Sequence, residues 1–527
     1  MAAGTFETRK TTRTRKLSRK TALSLGMTLA ASMAVSATVQ AAAPIVVTQV
    51  EHGSAGFATS GNTTTITAAN QTIIDYSKFD IPTGDTVRFI QPGSTATVLN
   101  RISGASPTAI DGNLFANGIV YMVNPAGVMF GQGAVINVGQ IFAAAGNLSN
   151  SDFLQGVNHF TDVTGSVLNA GNIHASAVNF VGQMVANSGE IIAPQGTVVM
   201  AAGNDVLIGK MDGNMFVKVS DSGTTAAPGA KAAVTNTGTV DAAGGQVNMS
   251  AGDMFSLAIR NTGTVKAGNI TLHGGSNSTV LVSGKLDAAN QGANGTGGTI
   301  KINGGNIGVG VTEYADGSFA DTNTLLTAAG TNGGGKILIG VKADSTSATG
   351  YSDASNYDYI GADALLNASA TVSGTGGLVD TSGATLTVSP TATILTAGAG
   401  GGAAGQWLLD PVDIQISGST SSNIGTVTTP GTPDATTEFS PTAATPTPAT
   451  VAAAAITLAL TAGDNVTVSV TPQSGPDIGT DKGDITLLSG ATINPVVPAG
   501  TQVLLKLSAT NNIAIRKLRP AGPASWT

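Results

Sequence analysis

From about Pro44 the chain is built of short segments in which apolar and polar residues alternate, each closed by Gly, Asn or Asp, with almost no helical period. The stretches "TTTITAANQTIIDYSKFDI" and "DTVRFIQPGSTATVLNRISG" set β-branched residues at alternate places and Pro or Gly where the direction changes. Strands joined by turns are the predicted elements. A loose repeat then emerges in "LNAGNIHASAVNFVG", "ANSGEIIAPQGTVVMAAG", "TNTGTVDAAGGQVNMSAGD", "RNTGTVKAGNITLHGG" and "LVSGKLDAANQGANGTGGTIKINGG". The leading glycines, Gly171, Gly189, Gly238, Gly263 and Gly284, are spaced by 18, 49, 25 and 21, and the 49 reads as two turns of one repeat. A repeat of this length cannot bury its own apolar face and must stack on its neighbour. Because it holds strands and no helix, the predicted fold is all-β, a parallel β-helix whose inward residues form ladders from coil to coil. Recurrent Asn is expected at the corners, where it tolerates left-handed geometry and bonds the local backbone.

The pattern weakens after about Lys342, and "LTAGAGGGAAGQ" reads as a flexible break. Gly418–Thr450 is rich in Ser, Thr and Pro, the composition of a linker. Strand-like text resumes at "AITLALTAGDNVTVSV" and runs to "NNIAI", forming a partial C-terminal β segment. The apolar run Val451–Ala462 is too short to span a bilayer.

Composition favours a repeat array over a set of compact enzyme domains. Of 527 residues 70 are Gly, 4% are aromatic and 10% charged, against about 25% charged in average globular chains. With 41% hydrophobic residues there is still enough apolar material for a core of small side chains. The N-terminus changes the picture again. Arg9, Lys10, Arg13, Arg15, Lys16, Arg19 and Lys20 precede a weakly apolar run from Thr21 to Val39, followed by "VQAAAP", the layout of an export signal cleaved after Ala41 or Ala43. Cleavage removes seven of the 24 basic residues and one of the 31 acidic ones, leaving a formal charge of −13. Such a polyanion is a poor partner for nucleic acid. Cysteine is absent, so no disulfide could lock a loop in an oxidising periplasm before a second membrane is crossed.

The segment Val98–Phe153, with "VNPAGVMFGQGAVINVG" at its centre, resembles the secretion domain of filamentous-haemagglutinin-like exoproteins of two-partner secretion systems. Asn124, Pro125, Gly127 and Val128 fit that family's N-P-N-G-[IV] motif, with Ala126 in place of the second Asn and Phe130 and Gly131 following. An earlier motif, often containing Asn-Pro, corresponds to "NRISGASPTAIDG", where Asn100, Arg101 and Gly112 flank Ser106-Pro107. "WLLDPVDIQIS", Trp407–Ser417, resembles a segment further along such exoproteins. The resemblance implies a right-handed β-helix that the periplasmic domains of a dedicated outer-membrane β-barrel translocator recognise while it is unfolded. It also implies release at the cell surface or into the medium, a role in adhesion, and a host or neighbouring-cell receptor or glycan as its target. The expected organisation is a signal peptide (1–43), a secretion-type β-helix (44–290), further repeats ending in a Gly-rich break (291–406), the WLLDP segment and linker (407–455), a partial β region (456–515) and a disordered tail (516–527). The basic, Pro-containing tail "RKLRPAGPASWT" reads as a composition break from a truncated or frameshifted chain.

No cofactor or catalytic residue is expected. "GTNGGGKI" matches the Gly and Lys of a phosphate loop, but Ile337 stands where Ser or Thr would hold magnesium, and no β-α unit follows. His52, His159, His174 and His273 lack metal-ligand spacing. The rival reading, a β-helix polysaccharide lyase or hydrolase, needs acids gathered on one strand, whereas Asp205, Asp212, Asp221, Asp241, Asp253 and Asp287 are scattered. A carrier of a toxin domain missing from this chain is the remaining alternative within the family.

Overall fold

A computed structural model describes residues 44–211, 214–220, 232–314, 318–343, 351–353, 355–418, 426–428, 437–439, 449–470, 483–497 and 501–515. The proposed cleavage positions Ala41 and Ala43, the carboxylates Asp212 and Asp221, and the tail from Arg516 lie outside these residues.

The described residues begin with strands β1 (Ile45–His52), β2 (Ala55–Ser60), β3 (Thr63–Ala68) and β4 (Thr72–Phe79). β1 pairs antiparallel with β4, and β2 antiparallel with β3, so the first coil edge is covered and offers no parallel template. From β3 and β4 onward every coil stacks in parallel register. A coil has three strands, for example Val128–Phe130, Val135–Asn137 and Gln140–Ala144 on a first, second and third face. The next coil places Ser166–Asn169, Asn172–His174 and Ala177–Gly182 directly beside them, with Val128 opposite Val167, Ile136 opposite Ile173 and Ile141 opposite Val178. Those residues, with their equivalents from Ile66 to Ile493, form one continuous buried column, mostly of small and branched side chains with aromatics such as Phe89, Phe130, Phe180 and Trp407 among them. The fold is a parallel β-helix.

The repeat glycines stack at the corner between the first and second faces. A Cβ on Gly189, Gly238, Gly263 or Gly284 would lie 2.1–2.2 Å from the carbonyl oxygen of the glycine one coil earlier, so only glycine lets the coils approach this closely. The asparagine two residues before each of four of these glycines turns inward. Asn169, Asn187, Asn236 and Asn261 are buried, and the amide of each of the first three donates to the side-chain carbonyl of the next at 2.8 Å. None has a left-handed φ, which corrects that half of the expectation, while the expected local bonds are present: Asn169 donates to Gly171 O at 3.3 Å, Asn187 to Gly189 O at 3.4 Å and Asn261 to Gly263 O at 3.3 Å. A buried amide satisfied by its copy in the adjacent coil fixes register along the axis.

Three further expectations change. The 49-residue interval is one coil, since Met184–Asn187 pairs directly with Val234–Asn236. The excess length leaves the coil as an antiparallel hairpin of Asp205–Met211 and Asn214–Ser220, which pairs with Asn158–Phe160 from an earlier excursion. With helix α1 (Asn150–Gln155), that excursion provides an outer layer for the third face, burying Leu99, Tyr121, Phe142, Val181 and Val199 in a second core. Tyr121 and Phe142 stack at 4.3 Å, and Phe153 of α1 meets Tyr121 edge-on at 5.3 Å.

The Gly-rich stretch near residue 400 does not interrupt the ladder either. Gln406–Leu409 pairs with Leu378–Thr381 on one side and Asn465–Ser469 on the other, and Trp407 is fully buried, donating to Thr381 Oγ1 at 3.0 Å. Its glycines are there because backbone meets backbone: a Cβ on Gly405 would sit 2.2 Å from the Gly377 oxygen.

Finally, "AITLALT" belongs to helix α2 (Ala453–Thr461), not to a strand. Ala449–Ala452 inserts on the first face between Thr385–Val388 and Ile414–Ser417, out of chain order. α2 then occupies the second-face position, packing on Thr393–Leu395 before the chain re-enters the third face at Asn465. Ala455, Ile456, Ala459 and Leu460 are its buried side, a helical spacing that alternation masks in so short an apolar run.

Candidate functional site

The Asn124 segment turns the chain from the third face back onto the first. Gly127 N–H donates to Asn124 O at 2.8 Å, closing a four-residue turn with Pro125 at its second position, where the fixed proline φ suits it. Asn124 is wholly buried. Its Oδ1 accepts from Ala126 N at 2.9 Å, and its Nδ2 donates to Ser106 O at 3.0 Å and Thr108 Oγ1 at 3.1 Å. The backbone N–H of Asn124 donates to Ala144 O at 2.9 Å. One side chain thus closes its own turn and ties it to the preceding coil, while the backbone binds the following one. Gly127 has φ +125°, and a Cβ there would lie 2.9 Å from Ser166 O and 3.5 Å from the Pro107 ring.

The two sequence motifs therefore meet at this corner: Ser106 and Pro107 are exposed directly beside the half-buried Pro125 and Ala126. Other expected site residues lie elsewhere. Val128 and Phe130 are core residues of the first face, opposite Thr108 and Ile110, and Phe130 stacks on Phe180 at 5.7 Å. Gly112 and Gly131 belong to the next corner, where Gly131 N–H donates to Ile110 O at 2.8 Å and a Cβ on Gly112 would meet Pro82 O and Asp85 O at 2.4 Å.

Asn100 points inward from the third face, accepting from the Tyr76 hydroxyl at 2.9 Å and donating to Tyr121 O at 3.1 Å. Burial holds that Tyr76 hydroxyl protonated, well above its ordinary range. Arg101 points outward, pairing with Asp75 Oδ1 at 3.0 Å and donating to Asn150 Oδ1 at 2.5 Å, which fastens α1 to the coil. The motif residues are thus a set of coil fasteners, with Ser106 and Pro107 exposed beside the half-buried Pro125 and Ala126.

Thr108, which completes the Asn124 bonds, had a faint signal in the sequence. Its separation of 16 residues from Asn124 is close to the 18 between Asn169 and Asn187, the length of one short coil. The asparagine ladder had a clearer one, the recurrent Asn-x-Gly in "LNAG", "ANSG", "TNTG" and "RNTG".

Among the described residues, no group of three or more histidines and carboxylates converges. His52 contacts Gln71 O, and His159 pairs with Asp205 at 3.0 Å on the outer sheet. His273 is held below the usual imidazole range by burial, with Lys301 adding to the effect and Asp253 opposing it. Register brings Asp241, Lys266 and Asp287 into one column, but each aspartate accepts from the backbone N–H two residues on, a corner-capping role.

Residues 41–294 match the profile of the TPS secretion domain. This part of the chain is a TPS secretion domain. A curated heme/hemopexin-binding protein of Haemophilus influenzae is 35% identical over 185 residues, which cover 32% of this chain and 20% of that protein. A second heme/hemopexin-binding protein of H. influenzae is 44% identical over 75 residues, 14% of this chain and 8% of its own length. The chain therefore spans a fifth or less of these curated relatives. The crystal structure of the HMW1 secretion domain from H. influenzae superposes with a TM-score of 0.59 at 24% identity, covering 70% of this chain and 95% of that one, and shows the shared fold. The Asn124 corner lies inside the TPS domain, as do the asparagine ladder and the outer layer on the third face.

Proposed function

We propose that the chain is a non-enzymatic exoprotein of the two-partner type, exported through a dedicated outer-membrane β-barrel and acting as an adhesive rod at the cell surface or in the medium. The TPS domain implies the barrel partner. The observation that carries the finer reading is the burial of Asn124. Once the coils have closed, no partner can reach its amide, so the partner's periplasmic domains read "NPAG" and the neighbouring "SP" before folding. Closure of the Asn124 corner then commits the segment to the growing β-helix. Each later coil stacks on the one before, so folding outside the membrane biases movement outward without nucleotide hydrolysis. An acidic chain in which no group of three or more histidines and carboxylates converges among the described residues suits presentation and binding better than sugar cleavage.

The test is to express the full chain with and without its outer-membrane barrel and measure it in periplasm and medium. The reading expects release only when the barrel is present. Equal release without the barrel would overturn it.

A further inference from the structure

A groove of about 620 Å³ runs along the third face near the C-terminal end of the β-helix. Its floor is a glycine corner. Cβ atoms on Gly335, Gly377 and Gly405 would each fall 2.1–2.2 Å from the carbonyl oxygen one coil earlier, so this corner carries no side chains and recedes. Lys336, Leu378, Gln406 and Asn465 stand at matched positions of four successive strands, and Thr467 opposes Lys506 on the next. Strands lie about 4.8 Å apart, so Lys336 and Asn465 bracket roughly 14 Å of trough parallel to the axis.

The lining chemistry is selective. Among the described lining residues the ionisable ones are Lys336 and Lys506, in a chain whose net charge is −7. Gln406, Asn465 and Thr467 supply amide and hydroxyl groups, and Leu378 and Leu504 supply apolar surface. No aromatic side chain lines the groove among the described residues, so it lacks the stacking platforms on which single-stranded nucleic acids depend. A flexible polymer of sugar rings bearing carboxylates meets all three features: charge at the lysines, hydroxyls at the amides, ring C–H faces at the leucines.

We propose that this groove binds a linear acidic polysaccharide lying along the β-helix axis, with Lys336 and Lys506 as its charge-recognising residues. The proposal rests on reading the chain as an exported binding rod, and it is tested on purified protein without any export step, so its failure leaves the export experiment untouched.

Fluorescently labelled hexagalacturonate is titrated into the full chain, with maltohexaose and a 20-residue oligothymidylate as comparisons. Hexagalacturonate is expected to bind most tightly and to weaken as NaCl is raised. Lys336→Gln and Lys506→Gln should each lower affinity about threefold, and together about tenfold, as expected for exposed charge contacts. Lys78→Gln and Lys266→Gln, placed elsewhere on the rod, should change nothing. Absence of binding, equal losses from the Lys78 and Lys266 variants, or oligothymidylate binding as tightly would each overturn the proposal.

Discussion

At the scale of single residues, the interior combines an apolar column with a few polar groups whose cost is met in different ways. The Asn169–Asn261 ladder satisfies its donors from coil to coil. Asp358 does not have that arrangement. It points into the core, opposite Ile307 and Leu386 on either side, where the Ser355 hydroxyl is the polar group beside its carboxylate among the described residues. Burial pushes its pKa up to about 7, the nearby Ser355 hydroxyl works against this, and Asp380, itself pushed up to about 7 mainly by burial, adds repulsion. A raised carboxyl pKa means that the folded state holds its proton more tightly than the unfolded one. The associated stability is fully present below the unfolded value near 4 and is lost as pH rises through about 7. The melting temperature should therefore fall between pH 5 and pH 8, and Asp358→Asn should reduce that fall and raise stability at pH 8. An unchanged pH dependence in the variant would show that Asp358 does not titrate in this range. Sequence reading placed Asn124 correctly in a turn but could not see its burial, because Ser106 and Thr108 approach it only through coil stacking.

At the scale of elements, alternation revealed strands wherever one face of a strand met the core and the other met solvent. It failed where that condition lapsed. On the third face around Tyr121 and Phe142 both sides are buried, and the covering layer of α1 and the outer sheet is not evident from local pattern. Nor does spacing separate one coil carrying an excursion from two plain coils, which is why the 49-residue interval fits both. α2 is the sharpest case: seven of its nine residues are Ala, Ile or Leu, a run that strand and helix templates fit equally well, and tertiary packing decides. Because α2 takes the second-face position beside Thr393–Leu395, it supports the final coils. Ile456→Ala should cost about 2–5 kcal/mol and loosen this end first, giving faster tryptic cleavage at Lys506 with little change at Lys301. Equal acceleration at both sites would instead indicate global unfolding.

At the scale of the whole molecule, a β-helix built from local coil contacts is suited to passage through a membrane as an extended chain and to refolding in order beyond it. The N-terminal antiparallel pairs close one end, and every later coil has a finished edge on which to stack. Repeat length, glycine spacing and the "NPAG" turn made this architecture legible in the sequence, since each reflects a demand made by every coil. The Asn124 corner is proposed to serve as an address as well as a fastener. Asn124→Ala with Pro125→Ala leaves buried polar partners unmet, and Gly238→Ala forces a Cβ against the Gly189 carbonyl oxygen; each should destabilise the fold by about 1–3 kcal/mol. The deciding measurement compares the two variants in cells that carry the outer-membrane barrel, as the ratio of chain in the medium to chain in the periplasm. A large drop is expected for the Asn124/Pro125 variant and near-normal release for Gly238→Ala at matched stability, whereas equal drops would show that the corner acts through folding alone.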